Sequence, residues 1–189
     1  MTISNKLSEF MHKKIHMLDK DEPYSVAARA KLRRSIGKPL DSVPDVWDIV
    51  LSYEEDLNQA AILSAYTTIG LYALHRQGKT KSMNAKDISF GSAIAQLVSN
   101  DDQKNSVTRK FNAVATSTDF SELSHHARSL IQMLKANDIE MDYPRFAREL
   151  YRFQFSESTG RVRLRWGEDF YQGIYKKEKG NDKNDENKG

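Results

Sequence analysis

The stretch AAILSAYTTIGLYAL, residues 60–74, runs fifteen positions without a charged residue. It falls short of the roughly 18 to 20 apolar residues needed to cross a bilayer. A helix that is apolar on every side must lie inside a core with other helices around it, so this run predicts a central helix, extending from Glu54 to about Arg76. RQGKTKSMNAKD closes it as a polar loop.

The rest of the chain reads as a casing for that centre. Leu7, Phe10, Met11, Ile15 and Leu18 stand at spacings near 3 and 4, an amphipathic helix. SVAARAKLRRSI predicts a second helix, stopped by Gly37 with Pro39 beyond it. DSVPDVWDIVLSYEE offers Pro44 for a first turn, with Trp47, Val50 and Leu51 on one face. DISFGSAIAQLVS, SVTRKFNAVATS, DFSELSHHARSLIQMLKAN and DYPRFARELYRFQFS follow, with Asp119 and Asp142 as N-caps and Glu122 completing an approximate capping box. No convincing alternating strand precedes residue 161, so the fold class is all-α, a compact bundle of about seven to nine helices.

In RVRLRWGEDFY, residues 161–171, Arg161, Arg163 and Arg165 alternate with Val162, Leu164 and Trp166. Six residues do not separate a period of 2 from one of 3.6. With helices everywhere else, SESTG reads as a loop and the segment after it as a last helix. Val162, Trp166 and Phe170 then face the core, and Arg165 falls four positions from Asp169. A short strand is the alternative.

The chain has 189 residues, 39% of them hydrophobic, enough for one sizeable core. Residues 1–175 are expected to form one helical domain with an N-terminal helical extension at 1–20. Residues 176–189, KKEKGNDKNDENKG, are charged and without apolar side chains, and are expected to form a disordered tail. The absence of cysteine excludes a disulfide framework, a thiolate zinc site and a cysteine nucleophile. With no signal-like apolar run at the start, the cytoplasm is the default location.

No catalytic constellation emerges. HRQGKTKS matches only the second half of a P-loop, with Ala73 where the first glycine belongs and a helix in place of the strand. His12 and His16 are four apart but flank Lys13 and Lys14, which oppose a metal ion, and the adjacent His125 and His126 diverge on a helix. The consecutive carboxylates Glu54, Glu55 and Asp56 also diverge and read as a solvated helix start. No cofactor and no metal is expected.

Charge carries the stronger signal, because it is segregated. Residues 1–40 sum to +5, 41–103 to −5, 104–177 to +4 and 178–189 to −1. Lys31, Arg34 and Lys38, and again Arg145, Arg148 and Arg152, stand at i, i+3 and i+7, so each set forms a ladder along one helix face. Arg109, Lys110 and Arg128 add to them. A backbone-binding surface for nucleic acid needs such clustering. A solvated helix face accounts for the same spacing.

Several stretches in order, ARAKLRRSIGKPLDSVPDVW, ISFGSAIAQL, SVTRKFNAVATSTDFSELSHHARSLIQML, MDYPRFARELYRF and RVRLRWGEDFYQ, resemble the CasB family, the small subunit of the type I-E CRISPR surveillance complex Cascade. The resemblance covers roughly residues 27–171. It implies an all-helical, non-enzymatic subunit that assembles with other Cas subunits, a CRISPR RNA and target DNA, beside a second copy of itself. In that family a basic face helps hold the R-loop, in which guide RNA pairs with one DNA strand and displaces the other. Carried over by position, nucleic-acid contacts fall to Arg33, Arg34, Arg109, Lys110, Arg128 and Arg148. Gly167 and Glu168 depart from the family, which commonly has an alanine and a basic residue there. A helical scaffold bridging protein subunits without touching nucleic acid is the competing expectation.

Overall fold

A computed structural model describes residues 2–51 and 56–186. Among these, nine α-helices occur in the order α1 (Ile3–Asp19), α2 (Pro23–Ser35), α3 (Trp47–Val50), α4 (Gln59–His75), α5 (Phe90–Ala95), α6 (Asp101–Ala115), α7 (Phe120–Ala136), α8 (Tyr143–Phe153) and α9 (Ser156–Glu186). Two 3₁₀ turns precede α3, and the only extended pairing among the described residues is an isolated bridge between Asn84 and Met141.

The uncharged run is the spine. In α4 nearly every residue from Ala61 to His75 is buried, and the helix packs against α1, α2, α7 and α8. α6 lies on α7, and α9 packs over α5 and α8 and touches α6. At Gly91 an added Cβ would meet the Trp166 carbonyl and stand 2.9 Å from the Phe170 nitrogen, so α5 and α9 approach backbone to backbone. Helix α1 is no appendage. Leu7, Phe10, Met11, Ile15 and Leu18 are buried against α8 and α4 as part of the same core.

Capping decides most boundaries. Asp119 and Asp142 accept from the Glu122 and Arg145 backbone N–H groups at 2.8 Å each, as their spacing predicts. At α4 the cap is Asn58, whose side chain accepts from Ala61 N at 2.9 Å. The helix therefore starts at Gln59 and not at Glu54; Glu54 and Glu55 themselves lie outside the described residues. The expected face of Trp47, Val50 and Leu51 is not formed either. α3 is one turn long, Val46, Ile49 and Val50 are buried, and Trp47 and Leu51 remain exposed.

SESTG is not a loop. α9 begins at Ser156, because the Ser158 and Thr159 hydroxyls donate to the Arg152 and Phe153 carbonyls at 2.6 and 2.8 Å and take over the end of α8 within two residues. Val162, Trp166 and Phe170 are buried, as the helical reading of 161–171 requires. α9 also carries past the boundary at 175. Lys177 donates to the Gln96 and Val98 carbonyls at 2.9 and 2.7 Å, and Glu178 pairs with Lys104 at 2.7 Å, so those side chains have partners the sequence does not reveal. Residues 187–189 lie outside the described residues.

A buried polar chain ties α4 to its neighbours. The His75 ring shares a 2.8 Å hydrogen bond with the Tyr143 hydroxyl, Tyr143 meets Tyr72 edge-on at 5.0 Å, and the Tyr72 hydroxyl bonds to Asp19. Burial first, and then the Lys79 charge, push the His75 imidazole down to about 4, with the Ile139 backbone opposing them, Lys135 adding to them and Asp138 opposing least. A histidine value depressed by folding stabilises fully above its ordinary value near 6.5 and loses that contribution as pH falls toward the folded value. Urea titrations are expected to show a loss of about 2 kcal/mol between about pH 7 and about pH 5, flattened in His75→Gln. An equal loss in the variant contradicts this assignment.

Candidate nucleic-acid interface

The six carried-over residues divide among three surfaces. Arg33 and Arg34 occupy the last turn of α2. Arg33 acts electrostatically on Lys135 at the end of α7, and burial, Lys79 and Arg33 together lower the Lys135 ammonium below its ordinary range. Like charges are thus gathered there. Arg128, seven positions before Lys135 and on the same face of α7, lines a groove of about 390 Å³ whose far wall includes Lys38, just beyond α2. Arg33, Arg34 and Arg128 therefore belong to one basic region at α2 and α7, to which the fold adds Lys38 and Lys135.

Arg109 and Lys110 stand on α6. Arg109 is exposed, whereas the Lys110 ammonium donates to Ser129 Oγ at 3.1 Å across the α6–α7 contact. That bond fixes its stem and leaves it half-buried.

Arg148 lies elsewhere. With Arg145 and Arg152 on α8, and Arg161 and Arg165 on α9, it lines an open groove of about 780 Å³ whose lining also includes Glu149 and Glu168. Arg148 also donates to Ser8 Oγ at 3.1 Å, while Arg152, Arg161 and Arg165 are exposed. The spacing of Arg145, Arg148 and Arg152 marks this ladder in the sequence. The meeting of two helix faces, which brings Arg161 and Arg165 opposite it, is not marked.

Not every arginine of these segments is available. Arg145 is bound to Glu149 at 2.8 Å and Asp169 at 2.7 Å, bracing α8 against α9. Asp169 is thereby only 4.0 Å from Arg165, at the limit of pairing. Glu149 is held above the ordinary carboxylate range by burial, opposed by the Trp166 N–H at 2.7 Å and by Arg145. Arg163 turns inward over the Phe153 ring and donates to the Ser117 carbonyl at 2.6 Å. Arg29, buried, donates to the Leu18 and Lys20 carbonyls and closes the end of α1. The outward set of the last segment is Arg161 and Arg165.

Such grooves present charged, fork-shaped donors. Among the described residues no group of three His, Asp or Glu side chains is placed to hold a metal ion, and no helix is long and apolar enough to cross a membrane.

Three comparisons bear on this arrangement. No curated protein matches the chain in sequence. Among solved structures, CasB from Thermobifida fusca superposes with a TM-score of 0.76 at 24% identity, over 89% of this chain and 97% of that one. CasB from Thermus thermophilus gives 0.70 at 21% over 91% and 99%, and a chain of a CRISPR RNA-guided surveillance complex gives 0.74 at 19% over 95% and 99%. These likenesses establish the fold. The model of CRISPR-associated protein Cse2 matches residues 28–171, from the second helix through the arginine-bearing start of the last, and the chain belongs to that family.

Proposed function

We propose that the chain is the non-catalytic small subunit of a type I-E CRISPR RNA-guided surveillance complex, working in the cytoplasm beside other Cas subunits, a CRISPR RNA, target DNA and a second copy of itself. Family membership and the likeness to a chain of such a complex support the assembly. The observation that carries the nucleic-acid role is the α8–α9 groove, where Arg148, Arg152, Arg161 and Arg165 stand beside Glu168 while Arg145 is bound by Glu149 and Asp169. In this reading Arg148, Arg152, Arg161 and Arg165 touch phosphates there, Arg33, Arg34 and Arg128 do so at α2 and α7, and Arg109 and Lys110 do so on α6.

The mechanism is electrostatic. Opening a target exchanges one duplex for another of similar stability, so a few backbone contacts tip the balance. Guanidiniums neutralise phosphates and release counterions, which gives affinity without sequence choice, and reading the sequence stays with the guide RNA.

The scaffold reading has one observation of its own. Tyr24, Trp47 and Leu51 near α2 and α3, and Leu164, Tyr171 and Tyr175 along α9, are large apolar side chains left exposed, as at protein contacts. Gel shifts of the full chain with single- and double-stranded nucleic acid across salt concentrations separate the two. The proposal expects binding to both, weakening steeply with salt. A pure scaffold gives no shift at any salt concentration.

A further inference from the structure

The α2–α7 groove is more than a charged surface. Its floor is apolar, built from Ile36, Leu63, Leu71 and Phe120 over Gly70, whose missing side chain leaves Ile36 as the neighbour an added Cβ would meet at 3.3 Å. Tyr66 stiffens the α2 side, because its hydroxyl donates to the Ser35 carbonyl at 2.6 Å and lies 3.0 Å from the Lys38 carbonyl. At the rim stand Thr67, Ser121 and His125, whose side-chain polar atoms have no hydrogen-bond partner among the described residues. Lys38 and Arg128 flank the opening, with Arg34 exposed nearby on α2. At about 390 Å³ the cavity lies within the usual range of about 300–1,000 Å³ for small-molecule clefts.

We propose that this groove takes an unstacked nucleobase of a single strand whose flanking phosphates rest on Arg128 and Lys38. An apolar floor with unpaired donors and acceptors at its edge suits a flat ring that carries polar groups on its perimeter. A purely apolar occupant leaves Thr67, Ser121 and His125 desolvated without partners. The surrounding cations argue for a polyanion over a neutral side chain, and an aromatic ring with Arg at the entrance is a sequence-tolerant way to hold single strands. A base within a duplex cannot enter, so the groove favours the unpaired state. The inference rests on the backbone-binding reading above and adds the base to it.

The test measures the affinity of the full chain for a single-stranded DNA of about 12 nucleotides, enough to span one binding face, and for a strand of equal length in which abasic sites replace the bases. The wild type is expected to bind the base-bearing strand about tenfold more tightly. Ser124 lines the groove, so Ser124→Leu fills it and removes that difference, whereas Arg128→Ala weakens both strands alike. The strand comparison in the wild type does not depend on how well a variant folds. Equal wild-type affinity for the two strands overturns the base site while leaving backbone binding intact, and absence of binding to either overturns both. Should Ser124→Leu keep the full difference, or weaken only assembly with the other subunits, the base is not held here; the second result assigns the groove to a protein side chain.

Discussion

Trp166→Ala is expected to cost about 3–5 kcal/mol of folding stability, the range for deleting a large buried aromatic side chain. Trp166 is fully buried, with the rings of Phe90 at 5.3 Å, Phe153 at 6.0 Å and Phe146 at 6.1 Å around it, so α5, α8 and α9 all pack on one side chain. Removing it opens a cavity that three helices share and that none can close alone. It also deletes the N–H that holds Glu149 at 2.7 Å, leaving a buried carboxylate with Arg145 as its remaining charged partner. Trp166→Phe keeps most of the volume and loses only the hydrogen bond and part of the packing, so it is expected to cost less than half as much. Urea unfolding checks both, since domains of this kind are stable by only about 5–15 kcal/mol. A cost below about 1 kcal/mol for the alanine variant contradicts the packing described here.

That residue was legible in the sequence as core, and the reason is instructive. Val162, Trp166 and Phe170 repeat at four-residue intervals, and a helix of any origin puts them on one face. Asp119 and Asp142 were legible because capping is local chemistry: a short acceptor three residues before an exposed N–H. Asn58 supplies the same signal at α4 but was hidden beside the acidic cluster at 54–56, which looks equally like a helix start. Trp47 misled because a face needs at least two turns to exist, and α3 has one.

The charged residues divide differently. A sequence lists cations without saying which are spent on structure. Arg29, Arg145 and Arg163 look no different from Arg148 or Arg161 in the chain, yet the first closes α1, the second braces α8 on α9, and the third bonds to the Ser117 carbonyl. Which helix faces meet is a long-range property, and both grooves arise from such meetings. Regular spacing marks the Arg145, Arg148 and Arg152 ladder. Nothing local brings Arg161 and Arg165 across from them.

The second large effect belongs to that groove. Replacing Arg148, Arg152 and Arg161 together with alanine removes three cations while leaving the Arg145 brace in place. Arg152 and Arg161 are exposed and away from the core, so their loss is expected to change stability by no more than about 0.5 kcal/mol each. Each lost phosphate contact reduces the slope of log affinity against log salt by about 0.7–0.9, so three reduce it by about 2–3. At moderate salt this corresponds to target-DNA affinity lower by at least about tenfold, from lost contacts and not from misfolding. Sequence preference is unchanged, because phosphate contacts carry none.

The most direct measurement is therefore target-DNA retention by the reconstituted surveillance complex across a salt series, with wild-type chain and with this triple variant incorporated to the same extent. The account predicts weaker retention and a shallower salt slope for the variant; equal retention and an unchanged slope, with assembly intact, would contradict it.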